Sequence, residues 1–287
     1  MNGLKMKIPF GVHIVFFEGG LGNQMFEYAF YLSLREKCPL AFYGFDTYAA
    51  EVEHYGYELD KIFHIDSHRE RNRHSFLRKL ERHHYVEFTE VQEENAITYN
   101  PKVYEDIRHP HVYKGYWQTE KYFEHIADDV RKAFRYRDEK LSEQTKKMAA
   151  EIQKMRNPVS LHVRRGDYVG LSDTKTFGME YYDAAVKMMR EKYSGGTIVV
   201  FSDDPEWAKT NMPYVDMVVV DWNKGKDSWQ DMYLMSQCTH NIIANSSFSW
   251  WGAWLNAHLD KQVIAPKKWM TWESEESDVV PQAWIRM

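Results

Sequence analysis

Hydrophobic and polar residues follow a regular order along the second half of the chain, with short apolar runs separated by longer amphipathic segments. The apolar runs predict strands near 159–163, 197–201, 217–220, 241–244 and 262–265. The intervening segments predict helices near 180–193, 205–211, 228–237 and 248–258. Short apolar strands that alternate with helices are typical of crossover connections, which build a parallel sheet covered on both faces.

The first half of the chain has the same alternation with more polar insertions. It predicts a helix near 23–37 and strands near 12–17, 40–45 and 111–115. Thr119 is the predicted N-cap of a helix that continues to about residue 134. A further helix near 142–155 ends before Pro158, because proline disfavours helix at the residue that precedes it. We take this point as a boundary between two α/β domains, 1–156 and 157–287.

Composition and charge are those of a soluble globular protein. The hydrophobic content is 44% and the formal net charge is −5, which argues against non-specific binding to nucleic acid. The run at 8–17 is short and leads into a glycine loop, so it predicts a first strand and not a targeting segment. No run approaches the roughly 20 apolar residues that span a bilayer. Cys38 and Cys238 are far apart in sequence and are expected to be reduced thiols of a cytoplasmic protein.

Segment 64–84 is polar and basic, with a thin apolar stripe at helical spacing formed by Phe76, Leu77 and Leu80. One interpretation is a surface that makes peripheral contact with an anionic inner membrane or an acidic glycan. The other is an ordinary solvated helix face, and the sequence favours this second interpretation.

The motif at 162–168, His-Val-Arg-Arg-Gly-Asp-Tyr, directly follows a predicted buried strand. Two adjacent arginines at a strand end suit an anion, because guanidinium groups stay charged and match phosphate oxygens with a fork of donors. Arg164 and Arg165 are therefore candidates to neutralise a diphosphate. The alternative is a strand end whose arginines are solvated or paired with nearby acids.

Two more polar segments follow strands of the same predicted sheet. Ligands of parallel sheets bind at the carboxyl ends of the strands, so these segments are expected to meet the arginine motif. Asp203 and Asp204 offer acceptors to a ligand edge with two adjacent donors, such as guanine, although either can instead cap the helix that follows. Ser246, Ser247 and the helix that starts near Phe248 form a helix N-terminus, which is itself an anion site.

A glycine loop follows the first strand and opens the first helix, and it has two interpretations. Gly20 and Gly22 resemble a dinucleotide-binding fingerprint, but its third glycine position is Met25, whose side chain would crowd the packing of helix on strand. Alternatively, Asn23 and Gln24 offer their amide groups to a ligand that faces the other domain.

Taken together, five blocks of the chain resemble those of bacterial α-1,2-fucosyltransferases of glycosyltransferase family eleven. The blocks lie in that family's order over nearly the whole chain, at 19–26, 115–123, 162–168, 201–205 and 245–254. The resemblance implies an α/β, GT-B-like architecture with two Rossmann-like domains facing a cleft. It implies that 157–287 binds GDP-fucose and that 1–156 is mainly the acceptor side. The implied reaction is inverting transfer of L-fucose from GDP-β-L-fucose to the 2-hydroxyl of a terminal galactose in a glycan.

The resemblance also implies roles for individual residues. Arg164 contacts the diphosphate and stabilises the departing GDP, and Arg165 supports that charge or orders the loop. Asn23 reaches the sugar or the phosphate from the opposite domain. Asp167 and Asp173 are candidates for the catalytic base. The other donor-binding residues are Gly20, Gly22, His162, Asp203, Asp204, Asn245, Ser246, Ser247 and Phe248.

The sequence contains no Asp-x-Asp motif, so a metal–diphosphate clamp is not expected. Fixed arginines and a helix N-terminus are expected to stabilise the leaving group without a metal or another cofactor. Two other functional classes stay open at this point. They are a nicotinamide-dependent oxidoreductase and a non-catalytic galactoside-binding protein.

Overall fold

The computed structural model describes residues 11–45, 55–67, 75, 77–79, 81–83, 86–165, 177–193, 196–273 and 277–287. Residue contacts divide the chain into two compact units, Met1–Tyr136 and Arg137–Met287. Each unit contains a parallel β-sheet whose strands are connected through helices.

The first unit contains a four-stranded sheet with the order β2-β1-β4-β3, in which every pairing is parallel. Its strands are β1 His13–Phe17, β2 Ala41–Phe45, β3 Thr89–Gln92 and β4 His111–Lys114. The α-helices whose bounds lie within the described residues are α1 Leu21–Lys37, α2 Leu59–Ile62 and α3 Ala127–Ala133, and described residues between 75 and 82 are also helical. Short 3-10 helices cover Pro101–Tyr104, Glu120–Tyr122 and Glu124–Ile126.

Helix α1 joins β1 to β2 and supplies much of the core of the first unit. Phe26, Phe30 and Leu34 recur every four residues and are all fully buried, as expected of the inner face of a helix. The ring of Phe30 stacks on the buried ring of Trp117, with 4.3 Å between their centroids. This contact fixes the segment after β4 against the helix that follows β1.

The second unit contains a six-stranded sheet with the order β10-β9-β8-β5-β6-β7. Its strands are β5 Val159–Val163, β6 Ile198–Ser202, β7 Met217–Val220, β8 His240–Ile242, β9 Val263–Ala265 and β10 Ile285–Arg286. Its α-helices are α4 Glu143–Ile152, α5 Met179–Lys192, α6 Pro205–Asn211, α7 Trp229–Gln237 and α8 Ser247–Leu255. Short 3-10 helices cover Asp138–Lys140 and Gly225–Asp227.

Both faces of the second sheet are buried, as the continuous apolar strands predict. Along β6, Ile198 and Val200 belong to one hydrophobic cluster, which includes residues of α5. Val199 and Phe201 belong to another cluster, which includes residues of α4 and α7. Because both faces are covered, polar groups of this sheet are exposed mainly at the ends of its strands.

The division between the units falls before α4, between residues 136 and 137. The sequence predicts the domain boundary after this helix, between residues 156 and 157. The physical reason is the packing of α4. Its residues Met148, Ala149 and Ile152 share a hydrophobic cluster with β6 and α7. The helix ends at Ile152, earlier than predicted and six residues before Pro158, and a helix end is not by itself a domain end.

The tryptophan-rich helix α8 belongs to the core of the second unit. Trp250 is fully buried and Trp254 nearly so. The indole nitrogen of Trp250 donates to the carbonyl of Val279 at 2.7 Å. Cys38 and Cys238 are buried free thiols, as expected.

The basic segment 64–84 is described only at 64–67, 75, 77–79 and 81–83, so most of its arginines lie outside the described residues. Leu77 is buried in a cluster with Val12, Ile14 and Phe42. This side chain of the predicted stripe therefore packs on the core of its own unit. Over the described ranges, none of the helices combines the length and the apolar character needed to cross a membrane.

Candidate active site

The two arginines of the loop after β5 meet the two acids of the loop after β6. β5 and β6 pair in register up to Val163 and Ser202, so their carboxyl ends lie side by side. Nη1 of Arg164 lies 3.1 Å from Oδ2 of Asp203. The backbone amide of Arg165 donates to Oδ1 of the same carboxylate at 2.9 Å. The predicted convergence of these two loops is confirmed.

Arg165 is held from two sides. Its guanidinium lies over the ring of Trp207, 4.2 Å from the centroid, and its Nε lies 3.6 Å from Oδ2 of Asp204. Asp204 is the N-cap of α6, and its Oδ1 accepts from the backbone amide of Trp207 at 3.1 Å. The capping alternative therefore holds for Asp204. Arg165 is stacked and paired in a way that orders the loop.

Arg164 also pairs with an acid of the loop after β6. Its side chain is 29% exposed, and Asp203 contacts one of its terminal nitrogens. The carboxylate orients the guanidinium, and phosphate oxygens are charge-assisted acceptors for the same fork of donors. The partly exposed guanidinium of Arg164 can therefore donate to an anionic ligand.

His162 connects the arginine loop with the start of α8. Its side chain is buried, and its ring centroid lies 5.9 Å from that of Phe248. Burial, together with the nearby charge of Arg164, lowers the pKa of His162 to about 3, so the ring is neutral at physiological pH. Its Nδ1 is buried and makes no hydrogen bond within the part of the chain that the structure describes. A neutral ring nitrogen can donate to or accept from a ligand, according to its tautomer.

The segment after β8 ends in the N-terminus of α8. Ser246 is the N-cap and accepts the first helical hydrogen bond from the amide of Trp250 at 3.0 Å. In the described structure its side chain makes no capping hydrogen bond. The first backbone amides of this nine-residue helix therefore receive no hydrogen bond from the side chain of Ser246. The first turn, which begins at Ser247, is therefore suited to a phosphate. Asn245 is buried and donates to the carbonyl of Trp269 at 3.0 Å, which ties this segment to the loop after β9.

The glycine loop of the first unit is built around buried side chains. Gly20 is the N-cap of α1 and Gly22 is buried in the first turn. Gln24 donates to the carbonyls of Gly19 and Gly56, both at 2.9 Å, and accepts from the amide of Glu58 at 2.9 Å. It is therefore a structural residue and not a ligand contact.

Asn23 and Met25 distinguish the two interpretations of the glycine loop. Oδ1 of Asn23 accepts from Nε2 of Gln118 at 2.8 Å, which links the loops after β1 and β4. Met25 is fully buried between helix and sheet, where a dinucleotide fingerprint needs its third glycine. The structure thus favours the amide interpretation.

Three glutamates of the first unit are not marked by any sequence pattern. Each accepts hydrogen bonds from backbone amides of these loops. Glu27 accepts from the amide of Glu18 through both oxygens, at 3.0 and 3.2 Å. Glu58 accepts from the amide of Leu21, at the start of α1. Glu93 accepts from the amides of Tyr116 and Trp117. Burial raises the pKa of Glu58 and of Glu93 to about 7 and that of Glu27 well above its usual value.

Other predicted site residues lie beyond what the structure describes. The catalytic-base candidates Asp167 and Asp173 fall in 166–176, outside the described residues. Among the residues that are described, no group of three or more histidine, cysteine, aspartate or glutamate side chains is arranged to hold a metal ion.

Comparison with known proteins adds to this geometry. The sequence profile of Glycosyl transferase family 11 matches residues 7–287. An alpha-1,2-colitosyltransferase of Escherichia coli is 32% identical over 287 aligned residues, which cover 94% of this chain and 96% of that protein. The galactoside alpha-(1,2)-fucosyltransferase 1 of Homo sapiens is 27% identical over 165 residues, 53% of this chain and 45% of that protein.

Two further proteins complete the comparison. The O-antigen biosynthesis glycosyltransferase WbnK of Escherichia coli is 41% identical over 138 residues, 46% of this chain and 45% of that protein. The chain thus spans less than half the length of this relative and of the human one. Among solved structures, the fucosyltransferase NodZ from Bradyrhizobium aligns with a TM-score of 0.52 and 11% identity, covering 84% of this chain and 92% of that one. The likeness is one of fold, and the predicted α/β, GT-B-like fold class is confirmed.

Proposed function

This chain belongs to glycosyl transferase family 11, and we propose that it transfers L-fucose from GDP-β-L-fucose to a glycan acceptor. The proposed linkage is α-1,2 to a terminal galactose, with inversion at the anomeric carbon. One observation carries the proposal: Arg164, preset by Asp203, lies at the carboxyl end of β5, next to the buried His162. A diphosphate is a ligand whose charge and oxygen geometry suit this group.

In the proposed mechanism the protein stabilises the departing GDP. Arg164 contacts the diphosphate with its terminal nitrogens, while Arg165 stays stacked on Trp207 and keeps the loop in place. The amides at the start of α8 and the hydroxyls of Ser246 and Ser247 contact the phosphates. Donors that are fixed before the reaction stabilise charge as it develops, without reorganising at that moment.

We assign the nucleoside to the residues beside the arginine loop. His162 and Phe248, whose rings lie 5.9 Å apart, are placed for the ribose and the base. We assign guanine recognition to Asp203, because it contacts the arginine proposed to hold the diphosphate and each of its oxygens keeps a second lone pair. An ionised carboxylate accepts from the two adjacent donors of guanine. Inversion requires a single displacement, for which Asp167 or Asp173 would accept the proton of the galactose hydroxyl.

Transfer of colitose is a second candidate function. It is favoured by the alpha-1,2-colitosyltransferase that matches 94% of this chain. Colitose is L-fucose without the 3-hydroxyl, so both sugars fit the same diphosphate and nucleoside contacts. The two donors differ by one hydroxyl group, and a site that hydrogen-bonds this hydroxyl would reject the sugar that lacks it.

The deciding experiment offers both nucleotide sugars to the purified protein with lactose as acceptor. We expect transfer from GDP-L-fucose, with an α-fucoside on the 2-hydroxyl of galactose identified by NMR. A larger kcat/KM for GDP-L-colitose would establish the second candidate instead. Absence of transfer from both donors would contradict both proposals.

Calorimetric titrations with GDP, NAD and lactose separate the other two functional classes. The proposal requires GDP to bind and Arg164→Ala to abolish that binding. Binding of NAD with no effect of Arg164→Ala would indicate an oxidoreductase. Binding of lactose without any binding of GDP would indicate a galactoside-binding protein.

A further inference from the structure

The turn that follows β4 has an unusual backbone. Gly115 has φ +144° and Trp117 has φ +55°, the left-handed region that a bulky side chain rarely adopts. A non-glycine residue there is strained, and such residues persist where the surrounding structure holds them in place. The ring of Trp117 is fully buried against Phe30, which supplies part of that support.

Glu93 supplies the rest of the support. It follows β3 directly, and Gln92 pairs in register with Lys114, so its side chain lies under the turn. Its carboxylate accepts from the amide of Tyr116 at 2.8 Å and from that of Trp117 at 3.1 and 3.2 Å. A Cβ at Gly115 would overlap Glu93, so glycine is required for this close approach. Charge-assisted bonds to two successive amides define the course of the turn.

The next residue of the turn is Gln118, whose side chain is partly exposed and reaches the glycine loop. Its Nε2 donates to Oδ1 of Asn23 at 2.8 Å. Within the described residues, Oε1 of Gln118 and Nδ2 of Asn23 make no further hydrogen bond. The two contacting side chains therefore offer a ligand one acceptor, Oε1, and one donor, Nδ2. Gly19 lies beside this pair, and a Cβ there would meet the amide of Asn23 and the ring of Tyr116.

The charge around the amide pair favours a neutral ligand. Glu27 and Glu93 lie beneath the two loops, and Glu18 is exposed beside them. Burial and, to a smaller extent, Glu18 raise the pKa of Glu93 to about 7, although the hydrogen bonds from the amides of Trp117 and Tyr116 act in the opposite direction. Glu58 already accepts from the amide of Leu21 at the start of α1. A phosphate would meet acidic side chains here that are either neutral or repel it, whereas sugar hydroxyls would meet a matched donor and acceptor.

We propose that Gln118, paired with Asn23, contacts a hydroxyl of the neutral acceptor sugar, and that Glu93 is the positioning residue that fixes the turn carrying Gln118. The assignment of the sugar as acceptor rests on the proposed function. Glu93 acts through the backbone amides and does not itself contact substrate. The amide pair thereby becomes a determinant of acceptor affinity, separate from the diphosphate contacts of the second unit.

The test compares Gln118→Ala, Glu93→Gln and the double variant with a control, Glu90→Gln. Glu90 lies on β3, the strand that Glu93 follows, and is exposed. It forms a surface ion pair with Lys114 at 2.6 Å, and such pairs contribute little to stability. Two quantities are measured: the affinity for lactose with GDP saturating, and KM and kcat for lactose in the transfer assay. GDP affinity, measured by calorimetry, reports whether the second unit is intact.

We expect Gln118→Ala and Glu93→Gln each to weaken lactose binding and raise its KM by roughly three- to tenfold, as loss of a neutral hydrogen bond does. GDP affinity should stay within about twofold of that of the unaltered protein. If Glu93 acts through Gln118, the double variant should have the KM of Gln118→Ala alone. Glu90→Gln should change none of these quantities.

Separate outcomes overturn the inference and the proposed function. Unchanged lactose affinity in folded Gln118→Ala removes the sugar contact. If the losses of lactose affinity in Glu93→Gln and Gln118→Ala add in full in the double variant, Glu93 does not act through Gln118. If Glu93→Gln fails to fold, the comparison of Gln118→Ala with Glu90→Gln still decides the sugar contact. Lactose binding that depends on Gln118 without any sugar transfer would preserve the inference and reject the proposed function.

Discussion

Adjacent arginines in the loop after β5 have different partners, and this difference gives them different roles. We expect Arg164→Ala to lower kcat/KM for transfer by at least roughly 10²–10³, because it removes a preset donor to the departing diphosphate. Arg164→Lys should not restore activity, since lysine lacks the planar fork. Arg165→Ala should cost less, because Arg165 is stacked on Trp207 and orders the loop. Steady-state kinetics with GDP-fucose and lactose measure all three, and near-normal turnover in folded Arg164→Ala would remove this residue from the site.

The neighbouring acids allow a second comparison of matched variants. Oxygens of Asp203 contact both Arg164 and the amide of Arg165, whereas Asp204 caps α6. Asparagine is a good N-cap, so Asp204→Asn should leave GDP affinity within about twofold. Asp203→Asn should weaken GDP binding by about tenfold or more and reduce the preference for GDP over ADP, since the amide presents a donor to the donors of guanine. Calorimetry with both nucleotides checks this, and equal behaviour of the two variants would locate the guanine contact elsewhere.

Residues at strand ends were largely predictable, while those that support the loops were not. Arg164 and Asp203 could be expected to meet, because parallel strands bring their carboxyl ends to one edge. Glu93 could not be singled out, because it follows a strand that the sequence did not reveal. Gln24 offered the same chemistry as Asn23 in sequence, and only burial shows that its amide is satisfied by backbone groups.

Among the elements, those with a strong apolar pattern were predicted and the weak ones were missed. β3 has the sequence Thr-Glu-Val-Gln and lies at the sheet edge with three exposed positions, so no alternating pattern marks it. Thr119 is a cap as predicted, but the chain beyond it breaks into short 3-10 helices before α3. Phe123, with φ −138°, interrupts the helix and turns its ring into the core. Tertiary packing here overrides local helix propensity.

The packing of α8 on α7 gives a prediction about an element. Gly252 lies in the interior of α8, and a Cβ there would approach Cβ and Sδ of Met235 to 2.9 and 3.1 Å. Gly252→Ala should therefore destabilise the protein by about 1–3 kcal/mol through overpacking, despite the better helix propensity of alanine. Leu259→Ala, at a fully exposed side chain, is the control. Urea unfolding measures both, and an increase in stability would show that the two helices move apart without cost.

For the whole molecule, the charge that meets the diphosphate defines the metal dependence of the reaction. Arg164, Arg165 and the N-terminus of α8 supply positive charge from the protein itself. We therefore expect transfer activity to survive exhaustive EDTA treatment, with at most modest stimulation by magnesium or manganese. Complete loss of activity in EDTA, restored by either cation, would contradict this arginine-based stabilisation of the leaving group.

Buried carboxylates in both units define the pH dependence of stability. Burial raises the pKa of Asp231 to about 7, although its hydrogen bond from Asn223 at 2.8 Å acts in the opposite direction. A carboxyl whose folded pKa lies above its unfolded one binds protons more tightly in the folded state. Its stabilising effect is present at low pH and is lost as the pH rises through the folded pKa. Glu58 behaves alike, with a pKa raised by burial to about 7.

Buried histidines have the opposite effect on the free energy of unfolding, mainly at acidic pH. Burial lowers the pKa of His13 to about 4 and that of His162 to about 3, so their contributions rise with pH up to their unfolded pKa of about 6.5. Above that pH each of these histidines adds only about 0.4 kcal/mol more, which is less than the change for each carboxyl. We therefore expect the free energy of unfolding to fall between pH 6.5 and 8, by about 1 kcal/mol for each such carboxyl.

Asp231→Asn isolates one term of this dependence. The amide keeps an acceptor for Asn223 and does not ionise. Between pH 5 and 8 the free energy of unfolding of the variant should therefore fall by about 2–3 kcal/mol less than that of the unaltered protein. Asp227→Asn, an exposed change shortly before α7, is the control and should leave the curve unaltered. Urea unfolding at several pH values gives both curves. Parallel curves for Asp231→Asn and the unaltered protein would mean that Asp231 ionises in the folded state as readily as in the unfolded one, because water or a cation reaches it there.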